Sequence, residues 1–186
     1  AVGWKTAPLD LARPTVITLA DGRIDIPTTT LRLGRGDRRA FGTIDVAGTA
    51  ATDLALKVTA RDLPVGVSAL FVPDLGADGA VAVDLAVGGT RKAPRIDWRV
   101  TGRDLTLAAT RTARLPAAAL TASGLIEAKR TTLDARVGLG TGATLTARGT
   151  LPFAGTRAER DGLRLDVTAE RLPLAFAAAV APGIGG

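Results

Sequence analysis

Apolar and polar residues alternate along most of this chain with a period of two. From Val81 to Val87 every second residue is valine or leucine, and Asp84 stands between them. Successive side chains of a β-strand point to opposite faces, so the pattern predicts an all-β chain whose strands have one apolar face. The positions expected on that face are Val81, Val83, Leu85, Val87, Ile96, Trp98, Val100, Leu105, Leu107, Leu133, Val137, Leu139, Leu163, Leu165 and Val167.

Residues 42–76 are echoed by residues 149–185. The clearest match sets residues 58–64 (VTARDLP) beside residues 167–173 (VTAERLP). A unit that recurs along a chain indicates an elongated architecture built from repeats. No irregular stretch marks a domain boundary, so we interpret residues 1–186 as one piece of a longer repetitive protein.

Three glycines stand at corresponding points of the strand pattern. Gly42, Gly124 and Gly149 each stand inside or between strand patterns and precede a Thr-Ile, Leu-Ile or Thr-Leu pair. Glycine within a strand pattern is typical of a bulge or a bend. Repetition of that feature predicts a sheet that curves at regular intervals.

Two segments lack the alternation and are predicted to be short helices. They run from Leu63-Pro64 to Val72 and from Leu172-Pro173 to Val180. Proline suits the first turn of a helix, and a second proline follows each segment, as is common beyond a helix end. Helices of two to three turns are unstable alone, so each is expected to pack on an apolar surface.

The charged residues are scattered rather than clustered. The net charge is +6, but arginines often stand next to acids, and the only aromatic residues are Trp4, Trp98 and four phenylalanines. Nucleic-acid-binding surfaces combine basic patches with aromatic stacking platforms. We therefore expect no nucleic-acid partner.

The residue types needed for most catalysis are missing. The chain has no histidine or cysteine, and its only serines are Ser68 and Ser123. A nucleophile would lack a base, and a soft metal would lack ligands. We expect neither an enzyme nor a cofactor.

An apolar strand face must be covered by protein or hold something apolar. From alternation alone both outcomes stay open. The first is a closed core, as in a structural β-solenoid, an adhesin stalk or an interaction module. The second is an open groove that binds a flexible apolar ligand, and the scarcity of aromatic residues favours an acyl chain over a sugar or nucleotide.

Short motifs follow one another in a fixed order after residue 62. They are Leu63-Pro64, an apolar segment, Val72-Pro73-Asp74-Leu75-Gly76, Gly88-Gly89-Thr90 and Ala93-Pro94. This order resembles the repeat region of the TamB family, within the AsmA-like group, in which a Leu-Pro-Leu helix, a Pro-Gly-Leu turn, a Gly-Thr and an Ala-Pro recur. The second helix segment matches the family wording more closely, because Asp74 replaces the usual glycine in the first.

The resemblance implies a fold and a role. Proteins of that family form an elongated, curved β-sheet folded like a taco around an apolar groove. They are anchored in the inner membrane, span the periplasm and resemble bridge-like lipid transfer proteins. The implied function is to carry phospholipid acyl chains between the inner and outer membranes and to support outer-membrane biogenesis and protein secretion. The implied partner is a TamA-like outer-membrane barrel.

Overall fold

Strands form most of the described chain. The computed structural model describes residues 9–33, 42–65, 77–106, 111, 114–127, 130–140, 142–152 and 164–171. The strands are β1 (Leu9–Leu11), β2 (Thr18–Ala20), β3 (Arg23–Leu33), β4 (Gly42–Ala50), β5 (Leu54–Pro64), β6 (Asp78–Gly89), β7 (Pro94–Thr106), β8 (Ala118–Glu127), β9 (Arg130–Leu139), β10 (Ala143–Pro152) and β11 (Arg164–Glu170). The all-β expectation is confirmed.

All the strands belong to one open antiparallel sheet. The order is β1-β3-β4-β5-β6-β7-β8-β9-β10-β11, and β2 pairs with the other half of β3. Ten strands side by side extend about 43 Å along the hydrogen-bonding direction, at about 4.8 Å per strand. Every described strand pair is antiparallel. This pairing differs from that of a parallel β-helix, the solenoid form of the closed-core alternative.

The sequence motif VT(A/G)xxL places a bulge in two strands. The register shifts between Ala60 and Leu63 in β5, and between Gly102 and Leu105 in β7. Asp62 and Asp104 have φ values of 52° and 54°, in the left-handed region that aspartate tolerates better than most residues. Each bulge inserts one residue, so the leucine that follows returns to the face it would otherwise leave.

The chain contains a third copy of this motif, which the repeat predicted from the sequence did not include. Residues 100–105 (VTGRDL) match residues 58–63 (VTARDL), and in residues 167–172 (VTAERL) Arg171 has a φ of 52° like its two counterparts. The middle copy was overlooked because Gly102 replaces the alanine of the other two. The motif therefore marks β5, β7 and the end of β11.

Two of the three glycines predicted to curve the sheet lie very close to the backbone of the next strand, and the third is less crowded. A Cβ at Gly124 would lie 1.9 Å from the Thr132 carbonyl oxygen, and one at Gly149 would lie 1.9 Å from that of Arg164. Gly42 is less crowded, and Gly48 has the matching contact instead, 2.0 Å from Ala55 O. No register shift falls at the three predicted glycines, because the bulges lie in the VT(A/G)xxL motif and near Pro27 and Gly79.

The predicted helix from Leu63-Pro64 does not begin at these residues, which are part of a strand. Leu63 and Pro64 end β5 and pair with Val81 and Ala80 of β6. The bulge at Asp62 makes this possible, because it keeps Leu63 on the apolar face where it pairs with another large apolar residue. Residues 66–72 and 172–180, the rest of the two predicted helices, lie outside the described residues, and the described residues contain no such helix.

Few apolar side chains are fully buried in the described part of the sheet. The buried ones are Ala60, Ala122, Leu139 and Ala143, and none of the large side chains there is fully enclosed. The described sheet therefore has no sandwich-like core, because such a core buries large side chains from two layers. Among the described residues, its apolar face is in contact only with the neighbouring strands on either side.

Candidate functional site: an apolar row across the sheet

Cross-strand pairing joins one apolar residue from each of ten strands, all but β2, into a continuous row. Residues directly opposite each other in an antiparallel pair lie on the same face. From β1 to β11 the row consists of Leu11, Leu31, Ile44, Ala60, Val83, Val100, Ala122, Ala135, Ala147 and Val167. We call this set the apolar row. No polar residue interrupts it over the ten strands that it crosses.

The structure brings the predicted apolar positions onto the face that carries the row. Leu107 and Leu163 lie outside the described residues, and the other thirteen candidates share that face, since registered pairs and i, i+2 spacing link them to the row. Leu105 reaches the face only through the bulge at Asp104. These thirteen are Val81, Val83, Leu85, Val87, Ile96, Trp98, Val100, Leu105, Leu133, Val137, Leu139, Leu165 and Val167.

The list of candidates missed the small members of the row. Ala122, Ala135 and Ala147 form its β8–β10 section. Alanine is common on either face of a strand, so it gave little signal beside leucine and valine. Its recurrence two residues from larger apolar residues was the available clue. Because three alanines follow one another there, the side chains of the row extend less far from the sheet than those of the valine section on β6 and β7.

Most of the apolar face is half-buried, and exposure rises towards the two ends of the sheet. Val83, Leu85, Trp98 and Val100 are of intermediate exposure. At the β1 end Leu9 and Leu11 are 51% and 55% exposed, and at the β11 end Leu165 and Val167 are 43% and 57% exposed. A single layer explains both facts, because an inner strand has neighbours on two sides and an edge strand on one.

Trp98 is the largest side chain on this face and lies across a glycine. It is the cross-strand partner of Leu85 and Gly124. A Cβ on Gly124 would stand 2.8 Å from two carbons of the indole, so glycine is needed for the ring to lie flat. The indole Nε1 is buried without a hydrogen-bond partner in the described part of the chain. The ring is thus held against the sheet as an apolar plate.

A polar row runs along the opposite face, one residue out of step. It consists of Thr30, Asp45, Thr59, Asp84, Arg99, Ser123, Asp134, Arg148 and Asp166. Ion pairs join its members to one another or to neighbours, such as Arg148 Nε to Asp134 Oδ2 at 2.8 Å. Shallow depressions near Lys57 and Asp97 lie on this face. Its charges of both signs compensate one another.

Asp84 is a carboxylate of the polar row that accepts hydrogen bonds from two side chains. Arg61 Nη2 donates to Asp84 Oδ1 at 2.8 Å, and Thr59 Oγ1 lies 3.4 Å from the same oxygen. The hydrogen bond from Arg61 lowers the pKa of the Asp84 carboxyl below its ordinary value. The pair is half-exposed, so solvent screens it and its contribution to stability is small.

Arg61→Ala should raise the pKa of Asp84 back towards the ordinary aspartate value. Asp84 stabilises the fold above the unfolded-state pKa, and this contribution is lost as the pH falls through the lowered folded-state pKa. A carboxyl-carbon NMR titration measures the change. Arg99→Ala is the control, because Arg99 lies opposite Asp84 but is not among the groups that lower its pKa. An unchanged titration in Arg61→Ala would contradict the assignment.

Other kinds of site are not found in the described residues. No group of three or more acidic residues there is placed to hold a metal ion. No helix in the described ranges is long and apolar enough to cross a membrane. Comparison with protein-family models, with curated proteins and with solved structures finds no match to this chain. Membership of the TamB family therefore stays a prediction from the sequence motifs.

Proposed function

We propose that the apolar face binds phospholipid acyl chains and that the apolar row is the track along which they pass. The observation that carries this proposal is the unbroken row from Leu11 to Val167. It runs perpendicular to the strands, so its length grows with strand number and reaches about 43 Å. A track for a chain molecule needs this continuity, whereas a site for a compact ligand needs only a local pocket.

The energetics favour an occupant that is long and apolar. Each methylene removed from water contributes about 0.8 kcal/mol. An acyl chain lying along the row would cover exposed apolar surface on most of the strands that it crosses, since Ala60 and Ala122 are the buried members of the row. The alanine section on β8 to β10 leaves space above the sheet for the acyl chain. The valine section on β6 and β7 has larger side chains that the acyl chain can contact. The row has no polar group that would hold the acyl chain at one position. The acyl chain can therefore shift along the row by one strand spacing at little cost in free energy.

The wider setting of the proposal rests on the resemblance to the TamB family. We infer a periplasmic protein, anchored to the inner membrane by another part of the polypeptide, in which this segment supplies part of a taco-like groove. A TamA-like outer-membrane barrel is the partner. The role is to move phospholipid towards the outer membrane and to support its biogenesis.

Fluorescence quenching of Trp98 tests acyl-chain binding directly. In a Trp4→Phe background Trp98 is the sole tryptophan, and it lies on the apolar face. We expect phospholipid brominated on its acyl chains to quench this fluorescence strongly, compared with the same lipid without bromine. Bromine quenches only at short range, so quenching shows that the acyl chain lies against the apolar face.

A matched control moves the reporter by one residue. In Trp4→Phe/Trp98→Phe/Arg99→Trp the only tryptophan lies on the polar face, and we expect little quenching. Equal quenching of both reporters would show unspecific partition into lipid. Absence of quenching at Trp98, with the sheet intact by circular dichroism, would contradict the proposal and favour an apolar face covered by protein, as in a structural or interaction module.

A further inference from the structure

The two edges of the sheet differ in how far they are closed to other strands. The outer side of β3 is covered in two halves by β1 and β2, each three residues long. β11 has seven residues, all exposed, and no strand in the described part of the chain pairs with its outer side. Long, regular edge strands without proline are templates for further pairing. Within the described residues, β11 is therefore the edge that is open to pairing.

The sequence of β11 is complementary to itself in the antiparallel register that pairs all seven of its residues. If two copies pair about Val167, Arg164 of each faces Glu170 of the other. Leu165 then faces Ala169, and Asp166 faces Thr168. Charged residues usually protect an edge from pairing, but here each meets an opposite charge or a hydroxyl. Cross-strand pairs of opposite charge stabilise a sheet, and like charges opposite each other destabilise it.

Neighbouring registers lack this complementarity. A two-fold axis at Asp166 would place the two Asp166 carboxylates against each other. An axis at Thr168 would set Asp166 against Glu170 of the second copy. Registers offset by an odd number of residues would bring the apolar face of one copy beside the polar face of the other. An axis at Leu165 would also set Arg164 against Asp166, but it would pair only three of the seven residues of β11. The register centred on Val167 pairs all seven, with opposite charges or hydroxyls facing the charged residues and with the apolar faces on one side.

We propose that two copies of this chain associate through β11, antiparallel and two-fold symmetric, with Val167 on the axis. The apolar faces then lie on the same side, because the axis is perpendicular to the sheet. Val167 ends the apolar row in each copy, so Val167 against Val167 joins the two rows into one. The shared edge is small, which places the dimer among weak and transient interfaces.

The neighbours of these charges within one copy make the register testable. On β10, Arg164 is opposite Thr150 and Glu170 is opposite Thr144. Reversing either charge therefore breaks no cross-strand ion pair inside the sheet. In the described part of the chain, the one ion pair affected is the long contact between Arg164 and Asp166 at 3.8 Å, along the exposed edge.

Charge reversal with rescue is the main test. We expect the 186-residue chain to show a concentration-dependent monomer–dimer equilibrium in sedimentation. Arg164→Glu and Glu170→Arg should each weaken dimerisation about tenfold, because each creates two like-charge contacts. The double variant should restore it. A chain that is monomeric at all concentrations, or singles without effect, or a double variant that fails to rescue, would overturn the proposal.

A cysteine on the axis fixes the register independently. The chain has no cysteine, and paired residues in either type of antiparallel site have Cα separations within the range that a disulfide spans. Val167→Cys should form an intermolecular disulfide under mild oxidation. Leu165→Cys should not, since Leu165 faces Ala169 of the second copy. The reverse result would overturn the register, and neither measurement depends on lipid.

Discussion

Val100→Arg should abolish acyl-chain binding while leaving the sheet folded. Val100 lies near the middle of the apolar row, between Val83 and Ala122. A charge there interrupts the apolar surface, and dehydrating it under an acyl chain costs several kcal/mol. In the open sheet the long arginine side chain can keep its guanidinium in water. The free energy of unfolding should therefore fall by no more than about 1.5 kcal/mol, the burial contribution of a valine.

The control for this prediction is Thr101→Arg, the adjacent position on the polar face. Thr101 is exposed and pairs with Ala82 and Thr121, so arginine there should change neither folding nor binding. Bromine quenching of Trp98 and urea unfolding provide the two readouts. If Val100→Arg unfolds the chain, the apolar face is a closed core. If the variant stays folded and binds lipid as before, the row is not the binding track.

Gly149→Ala should destabilise the sheet by about 3 kcal/mol, the upper end of the cost of overpacking. The added Cβ would stand 1.9 Å from the carbonyl oxygen of Arg164, and the obstacle is backbone, which cannot rotate away. Relief requires β11 to move off β10. For a chain of this size the loss corresponds to a fall in melting temperature of about 2–4 °C per kcal/mol.

Gly138→Ala is the matched control in the neighbouring strand. A Cβ at Gly138 meets nothing within 4 Å in the described structure, and alanine lowers the conformational entropy of the unfolded chain. We expect unchanged or slightly raised stability. Hydrogen exchange of β11 separates detachment of the edge from global unfolding in Gly149→Ala. Equal stability of the two variants would contradict the close approach at Gly149.

The strands could be predicted because alternation is a local property. The sequence placed Val81, Val83 and Leu85 on one face and Asp84 on the other, and the register confirms it. The apolar row itself could not be predicted, because it depends on which residues meet across strands. That register is set by hairpins and bulges, and a shift of one residue would have turned a whole strand over.

The bulges explain the main error of the sequence analysis. Leu63-Pro64 resembles a helix start when the chain is read from Pro64 onwards, since proline favours that position. Read from Val58, the same residues complete a strand motif whose left-handed Asp62 is invisible to alternation. The copy of the motif at residues 100–105 indicated the correct structure. Its Leu105 is followed by Thr106 rather than by a proline, so nothing there suggests a helix start, and Leu105 belongs to strand β7.

From β3 to β11 the sheet is a β-meander, in which strands that follow one another in the chain are also neighbours in the sheet. This connectivity allows the sheet to be lengthened by adding hairpins. Each strand from β4 to β10 pairs only with the strands before and after it in the chain. Among the residues that the structure describes, no distant segment closes the sheet, so duplication of one hairpin would leave every other described pairing unchanged. Each such duplication adds two strands, which lengthen the sheet by about 9–10 Å along the hydrogen-bonding direction. A gene encoding such a sheet can match its product to a gap of any width by repeating or losing hairpins.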